Sequence, residues 1–171
     1  AQFNQYLTSI LHLAPATLSG YNVCPKASQG CAASCLNTAG RGRFDSIQLA
    51  RLNKTKRFFE DKTNFINDLI KDIAALERKA KRELKKPVVR LNGTSDIQWE
   101  KLKIVLGKTI FELFPNVQFY DYTKIFTRLL SDLPANYHLT FSASESNETE
   151  CLQALELGYN VAMVFKTMPE K

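Results

Sequence analysis

Lys86-Pro-Val-Val-Arg-Leu-Asn-Gly-Thr-Ser-Asp96 is the stretch in which the chain changes its hydrophobic period, and its reading decides the fold. Before it, Phe65, Leu69, Ile73, Leu76, Ala80 and Leu84 recur at steps of three and four, the spacing of an amphipathic helix. After Pro87 the apolar runs are short and strand-like, at 88–91, 117–120, 137–141 and 160–165. The interval 45–86 therefore reads as two helices, broken near 61–63, with Thr63 as an N-cap.

Between the strand-like runs lie helical stretches at 98–114, 124–133 and 148–157, which end at Pro115, Pro134 and Gly158. Ser95 with Gln98 and Asn147 with Glu150 have capping-box spacing at two of the helix starts. Strand, loop and helix repeated in this order predict a parallel sheet with right-handed crossovers. The expected fold is α/β, a partial (β/α) barrel or open parallel sheet, preceded by a cysteine-rich loop and two helices. A further strand is expected between 11 and 23. The 171 residues read as one domain, with an N-terminal segment at 1–43, a helical part at 44–86 and βα units at 87–171.

Composition narrows the class. With 44% hydrophobic and 23% charged residues, 7 Gly and 6 Pro, the chain is neither disordered, collagen-like nor a secreted disulfide scaffold. No apolar run is long enough for a membrane span, and the opening Ala1-Gln-Phe-Asn-Gln-Tyr6 lacks the features of a signal peptide, so a cytoplasmic protein is expected.

Cys24, Cys31 and Cys35 fall within Cys24-Pro-Lys-Ala-Ser-Gln-Gly-Cys31-Ala-Ala-Ser-Cys35, whose small residues let three sulfurs converge. Cys151 lies far away in a helical stretch. Three thiolates leave one coordination position open, as in a catalytic zinc site or a site-differentiated iron–sulfur cluster. His12 is a possible fourth ligand, which would make a zinc site. A Cys24–Cys31 or Cys31–Cys35 disulfide is the alternative. His138, the other histidine, reads as a packed strand residue.

The formal charge of +6 is partly local: Arg41, Arg43, Arg51, Lys54, Lys56 and Arg57 follow the cysteine loop and suggest nucleic acid as a possible partner. The basic run from Arg78 to Lys86 reads as the dipole-complementing end of a helix. A second oligomeric copy or partner that completes the sheet is also possible. No P-loop or Ser-His-Asp pattern is present, and Gly40-Arg-Gly42 lacks the third glycine of a dinucleotide motif.

Polar residues cluster where the strands end: Arg90, Asn92, Gly93, Thr94, Ser95 and Asp96; then Asp121 and Lys124; then Ser142 and Glu145. Loops at the carboxyl edge of parallel strands converge on ligands, so these three groups predict one mouth.

With these strings in view, the chain resembles the gene product 88 family of uncharacterised phage proteins. The likeness runs from about Leu11 to Phe165 and rests on His12-Leu-Ala-Pro15, Ser19-Gly-Tyr-Asn22, Cys24-Pro25, Gly30-Cys31-Ala32, Cys35-Leu-Asn-Thr-Ala-Gly-Arg-Gly42, Arg90-Leu-Asn-Gly-Thr-Ser-Asp96, Tyr120-Asp-Tyr-Thr-Lys124 and Leu139-Thr-Phe-Ser142. More remotely, a cysteine loop on a partial barrel is similar to the radical S-adenosylmethionine enzymes, whose three cysteines bind a [4Fe-4S] cluster. That resemblance implies a cluster on Cys24, Cys31 and Cys35. It also implies S-adenosylmethionine and substrate beside Arg90, Asn92, Gly93, Thr94, Ser95 and Ser142, with Asp96, Asp121, Lys124 and Glu145 as the catalytic set. In a phage protein the compartment would be the host cytoplasm. The competing expectation is a zinc-stapled, non-enzymatic module that grips nucleic acid or a host protein.

Overall fold

The computed structural model describes residues 5–165 and Thr167, so the leading residues 1–4 of the signal-peptide reading lie outside it. Five strands, β1 (Tyr6–Ile10), β2 (Lys86–Arg90), β3 (Gln118–Thr123), β4 (Tyr137–Ser142) and β5 (Val161–Ala162), form one sheet. All neighbours are parallel and the spatial order equals the chain order. The sheet is mixed with helices in an α/β fold and does not close into a barrel.

Sequential parallel order has a geometric consequence. Crossovers of one hand, stepping always in one direction, put every connection on the same face of the sheet. Burial follows that rule. Val89, Phe119, Asp121, Thr123, Tyr137, Leu139 and Phe141 share one face through the strand register and are all buried. The opposite face carries Thr8, Ile10, Arg90, Tyr120, Tyr122, His138, Thr140 and Ser142, exposed or half-buried, with Val88 as its buried member. Parallel sheets are ordinarily covered on both sides; this one has an open inner face.

The covered face packs on α3 (Lys62–Arg82), against which α2 (Asp45–Glu60) packs in turn; these are the two expected helices. They break at Asp61, which caps both, and Thr63 lies inside α3 instead of capping it. Phe65, Ile66, Leu69, Ile73 and Ala80 of α3 face the core. Phe58 of α2 meets Phe65 and Trp99 at ring-centroid distances of 5.4 Å each. The helix ends at Arg82, short of Lys86, because Leu84 turns left-handed at φ 53° and the Lys85 amide reaches back to the Ala80 carbonyl.

The later helices are shorter than the sequence suggests. In place of 98–114 there are a 3-10 turn (Trp99–Lys101), a tight turn at Leu106 and Gly107 with φ of 49° and 73°, and a short α4 (Ile110–Leu113). The capping box that forms is Thr109 with Glu112. Ser95 instead donates its hydroxyl to Asn92 Oδ1. In place of 124–133 only the 3-10 turn Phe126–Arg128 is present. α5 (Glu148–Glu156) starts as expected, but the Asn147 side chain binds the Ser144 amide and the Ser142 carbonyl and makes no cap bond to the helix.

The extra strand lies at Tyr6–Ile10, not between 11 and 23, and β5 is confined to Val161–Ala162. His138 is exposed on the open face, beside Asn160 Nδ2, and is not packed. Among the described residues no helix is long and apolar enough to cross a membrane.

One-sided burial predicts opposite outcomes at adjacent residues. Leu139→Ala, fully buried, should cost about 2–5 kcal/mol in urea unfolding. His138→Ala should change stability by no more than about 0.5 kcal/mol. Equal losses would mean that the open face is covered.

Candidate functional site

A cavity of ≈ 840 Å³ opens where the strands end at their carboxyl edge. Its wall includes Cys24, Cys31 and Cys35 on one side. Facing them are Arg90 and the turn Asn92, Gly93, Thr94, Ser95 and Asp96, together with Lys124, Ser142 and Glu145. The three cysteines and nine of the residues expected at the mouth are thus brought together in space.

Two anchors hold the cysteine loop over this mouth. At its start, the Asp96 amide donates to the Val23 carbonyl at 2.7 Å and the Cys24 thiol lies 3.6 Å from the Thr94 carbonyl. In its middle, α1 (Gln29–Ala33) is capped by Ser28, whose hydroxyl accepts from the Cys31 amide. The Glu145 carboxylate accepts from the Ser28 hydroxyl at 2.8 Å and from the Gly30 amide at 2.9 Å. Those bonds, after the one from its own amide, hold the Glu145 carboxyl below the usual range. Glu145 is therefore a clamp for the loop and not a free acid or base.

Beneath the cavity lies a buried polar network that the sequence reading missed. Arg128, fully buried, donates Nη1 to Asp96 Oδ1 at 2.6 Å. Its Nε and Nη2 bind the Glu100 carboxylate at 2.9 and 2.8 Å, and Nη2 also reaches the Tyr137 hydroxyl at 2.7 Å. Tyr137 donates to Asp121 Oδ2 at 2.9 Å, and the Asn92 amide donates to Asp121 Oδ1 at 2.7 Å. Asp96 also accepts from Thr123 Oγ1 and from the Lys124 amide. Such a network stands only if every member is satisfied, because an unpaired buried charge costs several kcal/mol.

Two expected residues change role. Asp121 does not line the cavity; it sits on the covered face, and burial pushes its carboxyl up to about 7. The odd–even alternation of a strand explains this: Tyr122 faces the open side, so Asp121 faces the helices. Asp96 lines the cavity, but its carboxylate is bound to Arg128, Thr123 and the Lys124 amide and secures the floor. A basic residue within a 124–133 helical pattern reads as solvent-facing, and nothing in the local sequence marks Arg128 as the partner of Asp96.

His12 is also absent from the cavity wall. Its ring lies so close to Gly93 that an added Cβ there would stand 2.6 Å from Nδ1, which requires glycine at 93. Burial, then Arg51, Lys54 and Arg90, lower its pKa.

All four cysteines are free thiols, so neither expected disulfide is formed. Among the described residues no set of three or more His, Cys, Asp or Glu side chains is close enough to hold one metal ion. Burial pushes the Cys24 thiol up to about 11, with the Cys31 and Cys35 sulfurs as smaller contributors in the same direction. A thiol so disfavoured as an anion is inert as a nucleophile at neutral pH.

The expected nucleic-acid arginines do not form one surface. Arg51 is buried and binds Asn37 through Nη1, at 2.7 Å to both Oδ1 and the carbonyl, and Arg57 pairs with Asp68 at 2.8 Å. Arg41 and Arg43 are exposed on the 3-10 turn Gly40–Arg43.

A family model described as gene product 88 matches residues 1–171. No curated protein and no solved structure matches the chain.

Removing one partner of the floor should be severe: Arg128→Met leaves Asp96 and Glu100 unpaired and should cost about 3–5 kcal/mol in urea unfolding. A loss below about 1 kcal/mol would show that these carboxyls simply take up protons. Asp121 carries a pH signature. Its folded pKa is about 7, above the roughly 4 of an unfolded carboxyl, so its ionisation should erode stability as pH rises from about 4 to about 7, with no further loss above that. Asp121→Asn should remove this slope, and a wild-type-minus-variant difference that stays flat between pH 4 and 7 would refute it.

Proposed function

The chain belongs to the gene product 88 family of phage proteins, and from that premise and the cavity at its strand ends we propose that it is an iron–sulfur enzyme. In this reading Cys24, Cys31 and Cys35 hold a [4Fe-4S] cluster, and S-adenosylmethionine and substrate lie in the cavity at the carboxyl ends of the strands. The observation that carries it is that all three loop cysteines line the one cavity, with their loop anchored on the loops that follow β2 and β4.

The residues fit such a group on three counts. Small side chains at Ala27, Gly30 and Ser34 line the cavity beside the sulfurs, which keeps backbone amides within reach of a cluster. The elevated Cys24 thiol is stable as a thiolate only beside a compensating positive charge, which a bound metal provides. Three cysteines that line one cavity without being close enough to hold a single ion suit a cubane, which takes one sulfur on each of three irons and leaves the fourth open. A single zinc ion, with Zn–S near 2.3 Å, would instead draw them to within about 4 Å of each other.

Reduced, a bound cluster supplies the electron that cleaves the sulfonium bond of S-adenosylmethionine. The protein's own contribution is positional. Glu145 fixes the cysteine loop, Asn92 and Asp96 fix the turn that faces it, and Arg128 holds that turn from below. The host cytoplasm of a phage protein is a reducing compartment, which would keep such thiols available as ligands.

Anaerobic purification should yield a coloured protein with about four irons and four sulfides per chain. It should release methionine from S-adenosylmethionine under reductant. Cys24→Ala should abolish iron uptake, and Glu145→Ala should weaken it while the chain stays folded by circular dichroism. A colourless protein with stoichiometric zinc, and affinity for DNA or RNA that falls steeply with salt, would replace this reading with the zinc-stapled module.

A further inference from the structure

The charges that line the cavity do not balance. Of its two carboxylates, Asp96 is neutralised by the fully buried Arg128 and also accepts from the Thr123 hydroxyl and the Lys124 amide, whereas Glu145 stays charged, hydrogen-bonded to Ser28 and Gly30 of the cysteine loop. Three cations, Lys26, Arg90 and Lys124, line the same wall and outnumber that one charge. Among the described residues no carboxylate lies within ion-pair distance of Arg90 or Lys124.

Both cations are nevertheless held in fixed positions. Arg90 closes β2 with its guanidinium 4.7 Å from the centre of the Tyr122 ring, and its Nε donates to the Asn92 carbonyl at 3.2 Å. The remaining guanidinium donors have no protein acceptor among the described residues. Lys124 donates to Ser142 Oγ at 2.7 Å, a neutral partner that orients the ammonium without cancelling its charge. By the strand register Arg90, Tyr122 and Ser142 belong to the open inner face, so both cations meet over the same end of the sheet. The rest of the wall is apolar at its lip, where Leu36, Met163 and Val164 are all exposed.

We infer that this cavity binds a small organic anion, its carboxylate or phosphate head held between Arg90 and Lys124 and its apolar body against Leu36, Met163 and Val164. Two oriented cations without a salt-bridge partner, inside a concave and partly apolar wall of net positive charge, select an oxyanion through charge-assisted hydrogen bonds. The positive net charge of the chain draws such a ligand in. A ligand carrying only a cationic head meets one unneutralised carboxylate, Glu145, whose two oxygens are already held by Ser28 and Gly30, against three cations. The inference rests on the proposed function only in calling that anion the substrate; the binding itself needs no cluster.

The test is titration of the purified chain, followed by heteronuclear NMR, with phenylphosphate, phenylacetate, inorganic phosphate and benzylamine as probes. Phenylphosphate and phenylacetate are expected to bind, to outbind inorganic phosphate, and to shift the amides of 90–96 and 122–124; the stronger of the two identifies the head group. Arg90→Gln and Lys124→Gln should each weaken that binding about tenfold or more, whereas Lys56→Gln, which removes an equal charge from the exposed face of α2, should not. Equal binding of benzylamine, or unchanged affinity in both cavity variants, overturns the inference. Iron analysis of the wild-type chain beside the same titration separates the two readings. Anion binding by a wild-type chain that takes up no iron when purified anaerobically sinks the cluster and keeps the anion. A metallated, coloured protein indifferent to the anions does the reverse.

Discussion

The Arg128 guanidinium is the constraint around which the functional end of the molecule is arranged. It lies on the short turn after β3, yet it binds Asp96 from the loop after β2, Glu100 from the turn that follows and Tyr137 from β4. One side chain thus ties the loops that follow β2 and β3 to the first residue of β4. A buried guanidinium needs several acceptors to offset its desolvation. Tyr137 and the Glu100 and Asp96 carboxylates outweigh the burial that alone would lower its pKa. Through Asp96 the same network reaches the Val23 carbonyl, and so the root of the cysteine loop.

The second constraint is topological. A parallel sheet wound always in one direction buries one face under its connections and leaves the other bare. In this chain the bare face is polar and aromatic, with Tyr120, Tyr122, His138 and Thr140, and it runs up into the cavity through Arg90 and Ser142. The fold therefore supplies a concave inner surface without closing a barrel. The cysteine loop, arriving from the chain segment between β1 and α2, roofs one end of it.

The anchoring of that loop differs in kind at its two ends. At Cys24 it is built from backbone pairing and burial, with Ala14 and Val23 in the core, the Ala14 amide on Thr55 and the Thr94 hydroxyl on the Leu13 carbonyl at 2.5 Å. At Gly30 it rests on one exposed carboxylate, Glu145. Cys24 is therefore placed by the core, whereas Cys31 rides on the short α1 held by a solvent-facing clamp and Cys35 follows it at the start of the 3-10 turn Leu36–Thr38.

Local pattern determined a good deal. The change of period at Pro87, the helix break at Asp61 and the clustering of polar residues after 90, 121 and 142 expressed the α/β class, the two long helices and the shared mouth, because side-chain periodicity and turn chemistry are properties of neighbouring residues. The alternation Gln118-Phe-Tyr-Asp-Tyr-Thr123 also carries the sign of a one-sided sheet. What only the tertiary structure decided were the partners. Whether Asp96 and Glu145 are free acids depends on Arg128 and Gly30, which lie 32 and 115 residues away. Whether 124–133 forms a helix depends on a guanidinium finding carboxylates in the core. Pairings at that separation are fixed by packing and desolvation, which no local window of sequence encodes.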